Sequence, residues 1–283
     1  MTGDVDRFLD AAGAYLRRER ARNTVILTVT EQLRLNPAGH SSPAAGAAEQ
    51  PDRPVFGWWT GPDGGAFMHT PPFPLLLTAG VGAAAELAIA LAGRPLNGIN
   101  AYPAAAERFA ASWPGAAGGR AKVRQRQRLY RLGELTWPDP APAGASRVAG
   151  PADLPLVAEW FEAFGREAGD VGGGQEAAAM ARDRLGYGGV TLWEAGSGPV
   201  SVAGVSRLVA GMVRIGPVYT PLRWRGRGYA SGATAAVSRA ARAAGASEVL
   251  LFTDLANPVS NSIYQRIGYQ PVEDRVLLSF PAA

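Results

Sequence analysis

Arg223, Gly226 and Gly228 form an Arg-x-x-Gly-x-Gly run between a strand-like apolar stretch, Met212 to Tyr219, and an Ala-rich helical stretch, Ser231 to Ala244. A strand that ends in a glycine-rich turn and opens a helix aims several backbone N–H groups in one direction. The helix N-terminus adds roughly half a positive charge at the same place. Gly226 and Gly228 remove side chains that would hold an anion away from those amides. Arg223, Arg225 and Arg227 add fixed positive charge around the turn. The chemistry such a turn fits is the grip of a pyrophosphate. A Walker-type loop would need Lys and then Ser or Thr after the second glycine, and neither is present. A dinucleotide turn would need a third glycine, and Gly232 falls one position too late.

A second constellation lies further along. Glu248 to Thr253 reads as a short buried strand, followed by Asp254-Leu-Ala-Asn257-Pro-Val-Ser260-Asn261-Ser-Ile-Tyr264-Gln-Arg-Ile-Gly268-Tyr269. Asn257 and Pro258 suit a helix cap and first helical position. The spacing of Asn261 and Tyr264 places them on one helix face, and Gly268 suits the left-handed residue that ends the helix. With Val218-Tyr219-Thr220-Pro221 ahead of the turn, the two motifs resemble the acyl-CoA-binding segments of the GNAT N-acetyltransferase superfamily, over roughly Arg147 to Phe280.

The resemblance implies an α/β (α+β) fold, a mixed and mostly antiparallel twisted sheet flanked by helices, with two central strands parted to admit a pantetheine arm. It implies transfer of an acetyl or other short acyl group from acetyl-CoA, or another acyl-CoA, to a primary amine by direct attack. Two other readings are open. The donor is instead the acyl-phosphopantetheine arm of a carrier protein, or the protein binds acyl-CoA without turnover. Carried onto this sequence, the donor site comprises Val218, Tyr219, Thr220, Arg223, Arg225, Gly226, Arg227, Gly228, Tyr229 and Ala230, with Asn257, Ser260, Asn261 and Tyr264 from the second motif. Tyr264 is the expected proton donor to the leaving thiolate. Asn257 is either an arm contact or a plain helix cap. Met212 to Tyr219 contains no carboxylate, which departs from the commonest family pattern, so the base is sought among Glu162, Glu194 and Asp254.

The elements that must position these residues follow from periodicity and turn signals. Helices are predicted over Asp4 to Arg20, Thr24 to Leu35, Val81 to Ala92 and Ala104 to Trp113. Strands are predicted over Val55 to Trp59, Ala66 to Thr70, Pro74 to Thr78, Leu96 to Asn100 and Val123 to Leu135. Residues 36–54 read as a flexible loop. The proline-rich run 137–146 reads as a linker between a domain over 1–136 and a catalytic domain over 147–283. After the linker come a strand at Arg147, a helix from Pro151, a hairpin of Val190 to Ala195 with Val200 to Val209, then Met212 to Tyr219. The first domain repeats this order without a Gly-x-Gly turn, with Thr70-Pro-Pro-Phe-Pro in its place, and resembles a degenerate GNAT-like copy.

Composition narrows the function further. The 283 residues include no Cys, which excludes disulfides, Cys-ligated zinc and thiol catalysis, and only two His, His40 and His69, so no metal site is expected. The 28 basic and 24 acidic residues leave a net charge of +4, and no nucleic-acid motif accompanies it. Leu75 to Ala92 carries Glu86 and glycines and is not a membrane span. The polar, acidic first residues are unlike a basic-then-apolar leader, so a cytoplasmic protein is expected, with a small-molecule amine or an acyl carrier protein as partner.

Overall fold

The computed structural model describes residues 1–35, 53–60, 64–114, 121–169, 174–196 and 198–280. The expected loop over 36–54 lies almost wholly outside them. The chain divides into two compact units, Met1–Leu129 with Asp254–Ala256 and Val272–Ala283, and Tyr130–Thr253 with Asn257–Pro271. The division falls at Leu129 and Tyr130, so the proline-rich run 137–146 lies inside the second unit and the chain's last strand returns to the first.

The first unit opens with α1 (Val5–Arg18), which starts because the Asp4 carboxylate accepts the N–H groups of Asp6 and Arg7 at 2.9 and 3.1 Å. Its apolar stripe, Phe8, Ala12 and Leu16, is buried. Helix α2 (Thr24–Leu35) forms although Val25, Leu27 and Val29 alternate as they would in a strand. Thr28 and Thr30 turn their hydroxyls back to the carbonyls of Thr24 and Ile26, which satisfies them without a strand partner. Strands β1 (Val55–Trp59), β2 (Gly65–His69) and β3 (Leu75–Leu77) form an antiparallel set. Helix α3 (Val81–Ala90) then crosses over to β4 (Gly98–Ala101), which pairs parallel to β3. Helix α4 (Pro103–Ser112) leads to β5 (Lys122–Leu132). The strand beside β4 is not sequential. Val276–Ser279 of β11 (Tyr269–Ser279) lie antiparallel to Gly98–Ala101. Phe109, Trp113 and Phe280 stack with ring centres 5.6 to 6.2 Å apart, closing the core formed with Leu75, Leu77, Leu87 and Ile99.

The second unit contains β6 (Ala145–Val148), α5 (Leu154–Ala168), α6 (Gly174–Gly186), β7 (Val190–Ala195), β8 (Gly198–Val205), β9 (Met212–Tyr219), α7 (Tyr229–Ala243), β10 (Glu248–Asp254) and α8 (Pro258–Arg266). Strands β6 to β9 are antiparallel neighbours in sequence order, and β10 is parallel to β9. One face packs on α5 and α6 through Val157, Trp160, Phe161 and Ala181. The other packs on α7 and α8 through Ala233, Val237, Tyr264 and Tyr269. Small residues let α7 approach closely. A Cβ at Gly232 would press on Pro142 and Trp193, and the Trp193 indole donates to the Ala143 carbonyl at 2.9 Å. That contact gives the proline-rich run a packing role.

Element order repeats along the chain. Two helices, three antiparallel strands, a helix, a strand, a helix and a strand occur first as α1 to β5 and again as α5 to β11. Each set has a parallel pair at the same place, β3 with β4 and β9 with β10.

Candidate functional site

The site is built where β9 and β10 part. They pair only from Met212 with Glu248 to Ile215 with Leu251, yet β9 runs on to Tyr219 and β10 to Asp254. The parting begins at a bulge, where the β8–β9 register slips between Ala203 and Val205 and Gly216 takes φ of +142°. Beyond it, the Ser201 hydroxyl donates to the Tyr219 carbonyl at 3.1 Å, which points that carbonyl toward β8. Antiparallel alternation then turns the N–H and C=O of Val218 to the opposite, parted edge. The Thr220 hydroxyl lies 2.8 Å from Ser201, and the Thr220 carbonyl accepts Arg225 Nε at 2.8 Å. Of the expected donor-site residues at the end of β9, Val218 turns both backbone groups to that edge and Thr220 has its carbonyl occupied.

The turn follows at once. Leu222–Trp224 make one 3₁₀ turn, Gly226 and Gly228 hold φ of +75° and +77°, and the first closed bond of α7 runs from Gly232 N–H to the Gly228 carbonyl at 3.0 Å. Among the described residues, the N–H groups of Gly226 to Ser231, Tyr229 and Ala230 included, have no partner. This fan at a helix N-terminus fits an anion. A Cβ at Gly226 would meet nothing within 4 Å, so the positive φ, not crowding, requires glycine there.

The three arginines do different things. Arg225 forms a fork with Glu167 at 2.7 and 2.8 Å besides its bond to Thr220, so its side chain buttresses the turn. The guanidiniums of Arg223 and Arg227 lie 5.9 and 5.1 Å from the Trp224 ring centre, exposed, with no carboxylate partner among the described residues. Those two are the cations available to a bound phosphate. The Trp224 indole N–H beside them is buried without an acceptor among the described residues.

Helix α8 carries the second motif. The Asn257 side chain accepts Ser260 N–H at 3.0 Å, the helix-cap reading of that residue. Replacing Asn257 by Ala is expected to destabilise the protein by about 1 kcal/mol. A denaturant midpoint that does not move would show the cap to be idle. Asn261 donates to the Asn257 carbonyl at 2.7 Å and accepts the hydroxyl of buried Tyr130 at 2.9 Å, so it fixes α8 to β5. Tyr264 is 9 % exposed and meets the Tyr269 ring edge-on at 6.1 Å. The Tyr269 hydroxyl is 2.7 Å from Ser238, whereas the Tyr264 hydroxyl has no hydrogen-bond partner among the described residues. Burial pushes the Tyr264 phenol up to about 12, so it is protonated throughout the neutral range.

The candidate bases are already engaged. Glu162 pairs with Arg166 at 3.3 Å on the exposed side of α5. Glu194 accepts Arg147 at 2.7 Å, and Arg147 also forks onto Asp153, holding the Asp153 carboxyl below its usual range. Asp254 belongs to the first unit, where its carboxylate accepts Ala256 N–H at 2.8 Å and the Gln125 amide at 3.4 Å. His69 is buried and accepts Arg94 at 3.2 Å; burial, then Arg94, pushes it down to about 4, a structural histidine.

The first unit shows what becomes of such a site when it is filled. Its parallel pair ends at Leu76 and Asn100, and there the buried Arg275 guanidinium bonds the carbonyls of Leu77 at 2.8 Å and Asn100 at 3.1 Å. The turn from β3 into α3 is Thr78 to Gly80, not the proline run ahead of β3. Its Thr78 N–H is bonded to Ala66, and Gly80 has φ of −73°. What the first unit lacks there is the pair of left-handed glycines, since Gly80 is extended where Gly226 and Gly228 have positive φ.

The chain has the fold of the GNAT-superfamily N-acetyltransferases. Among solved structures it is similar to a protein from Drosophila at 13% identity over 99% of this chain and 97% of that one, with a TM-score of 0.67. It is similar to a GCN5-related N-acetyltransferase from Sphaerobacter thermophilus at 20% identity over 76% and 75%, TM-score 0.54. A GNAT-family acetyltransferase from Colwellia psychrerythraea is similar at 14% identity over 77% and 81%, TM-score 0.53. Within that class, residues 201–278, which hold the bulge, the turn and Tyr264, match the FR47-like protein family. No curated protein matches the chain. Among the described residues, no helix is long and apolar enough to cross a membrane and no acidic or His cluster could hold a metal ion.

Proposed function

We propose that the protein is an N-acyltransferase that moves an acetyl or other short acyl group from acyl-CoA to a small-molecule primary amine. The observation that carries this reading is the fan of unpartnered N–H groups from Gly226 to Ser231 directly beyond the point where β9 and β10 part. The fan, with Arg223 and Arg227, binds the pyrophosphate. The Val218 backbone extends β9 onto the pantetheine arm as one more strand would.

The chemistry follows from what this holds in place. The amine nitrogen attacks the thioester carbonyl carbon, the C–N bond forms, the C–S bond breaks, the nitrogen releases a proton to solvent, and the sulfur gains one from Tyr264. No protein carboxylate is assigned as base, in keeping with the cation or amide partners found at Glu162, Glu194 and Asp254. A substrate amine that arrives partly neutral needs none.

The test separates the phosphate grip from the arm. Calorimetry should give a Kd for CoA at least about 100-fold below that for pantetheine, which lacks the phosphates, and the difference should shrink as salt rises. Equal affinities would remove the donor site. Acyl transfer is then measured as thiol release from acetyl-CoA over an amine panel, with acyl carrier protein as the competing donor.

A further inference from the structure

The bulge at which β9 leaves β10 is held by a side chain that the donor site leaves unused. Two residues of β9, Gly216 and Pro217, face one residue of β8, Gly204, between the pairs Ala203 with Val218 and Val205 with Ile215. Gly216 is the first residue of β9 beyond its pairing with β10. Its carbonyl accepts a hydrogen bond from the Arg184 guanidinium, which reaches β9 from the last turn of α6. The ring centre of Phe161 on α5 lies 5.5 Å from that guanidinium.

Arg184 is itself pinned. Its own carbonyl accepts Gly189 N–H at 2.7 Å just ahead of β7. The Tyr187 hydroxyl donates to the Val205 carbonyl at 2.8 Å, tying the turn after α6 to the end of β8. The carboxylate next to Arg184 in sequence, Asp183, is bonded to Arg207 at 2.6 Å instead. Room for the guanidinium comes from Gly204. A Cβ there would collide with Arg184 Nη1, and would lie 3.0 Å from the Gly216 carbonyl oxygen and 3.3 Å from Phe161 Cζ. The missing side chain, the guanidinium, the bulge carbonyl and the Phe161 ring therefore meet at one place. A hydrogen bond from a charged donor is stronger than one from a neutral donor, which suits a contact that must hold an irregular backbone.

We propose that Arg184 is a positioning residue of the donor site, which holds the Gly216 carbonyl so that the bulge persists and the Val218 backbone stays turned to the pantetheine arm. This rests on the acyl-transfer reading and adds the side chain that keeps its strands parted. The reason is alternation. Taking the bulge out of β9 shifts its alternation by one residue, and the N–H and C=O of Val218 then turn toward β8 and away from the arm. The turn that grips the pyrophosphate lies beyond Tyr219 and is braced separately, by Arg225 on the Thr220 carbonyl and on Glu167. Loss of Arg184 therefore weakens the hold on the arm and spares the hold on the phosphates.

The experiment uses the full chain with CoA and with ADP, which carries the pyrophosphate without the arm. Arg184→Met keeps the reach of the side chain and removes its N–H groups. By calorimetry it should raise the Kd for CoA about 10-fold or more and leave that for ADP within about a factor of two, and Arg184→Lys should recover part of the loss. In acyl transfer the loss should appear in KM for acetyl-CoA and not in KM for the amine. Gly204→Ala should reproduce these effects, since its methyl expels the guanidinium, and the double variant should lose no more than the worse single one. Gly204→Ala removes no hydrogen-bonding group, so it carries the test where Arg184→Met does not fold. Amide exchange reads the bulge with no ligand present. Residues 212–220 should exchange at least about 10-fold faster in either variant, with α7 unchanged. A folded Arg184→Met with wild-type affinity for CoA overturns the proposal, as does an equal loss for CoA and ADP, or losses that add in the double variant. If the wild type binds neither CoA nor ADP, the acyl-transfer reading fails, and exchange over 212–220 alone decides the role of Arg184. Faster exchange in Arg184→Met then keeps its hold on the bulge, and unchanged exchange removes it.

Discussion

Replacing Tyr264 by Phe is expected to lower kcat about 100-fold or more while the Kd for CoA stays within about a factor of two. The substitution removes one hydroxyl and keeps the ring that meets Tyr269 edge-on at 6.1 Å, so the packing of α8 survives. What is lost is the proposed proton donor, a hydroxyl with no hydrogen-bond partner among the described residues. The pH profile adds a second check. With the phenol pushed up to about 12 by burial, it keeps its proton while the substrate amine loses its own. The rate should therefore climb with pH and show no descending limb below about pH 9. The same shift has a sign for stability. The folded state holds the phenolic proton more tightly than the unfolded chain, so this contribution is intact below about pH 10 and is lost as pH rises from there through 12. A Phe variant with wild-type kcat would reduce Tyr264 to a packing residue.

Gly226→Val is expected to raise the Kd for CoA about 100-fold or more, with a Tm loss of only a few degrees. The backbone at Gly226 has φ of +75°, a conformation that costs a β-branched residue roughly 1–3 kcal/mol. The chain can relieve that strain only by rotating the peptide, which turns N–H groups of the fan away from the anion. Space is not the issue, since a Cβ there touches nothing within 4 Å. Gly245→Val at the end of α7 is the control, because it has φ of +95°, equal open space and no part in the turn. It should carry a similar stability cost with donor affinity unchanged. Matching losses of affinity in both variants would mean that strain alone, not the aim of the amides, weakens binding.

The conformation of the glycine turn was legible because backbone chemistry writes itself into sequence. Two glycines a residue apart, between an apolar run and an Ala-rich run, leave few conformations other than the one found at Gly226 and Gly228. Helix α2 was harder, since Val25, Leu27 and Val29 alternate like a strand, and its threonines resolve it by bonding within the helix. Helix α6 gave no clear sign, because it buries only Ala181 and has no strong apolar stripe. The roles of the carboxylates depend on partners that sequence does not bring together. Asp254 meets Gln125 from 129 residues away, and only folding shows it. Arg184 looks like any of the chain's many arginines. The sign that could have marked it is Gly204, inside a strand, where a missing side chain leaves room for another group.

The return of Val276–Ser279 to β4 has a consequence for biosynthesis. A ribosome delivers α1 through β4 before any of the second unit, but the neighbour of Gly98–Ala101, Val276–Ser279, emerges only after it. The first unit is thus begun before the second and closed after it, and the nascent chain carries an unpaired hydrogen-bonding edge at β4 while residues 102–275 are translated. A premature stop after Pro271 would leave the residues of the donor turn encoded in full and break the other unit, the one that has no such turn.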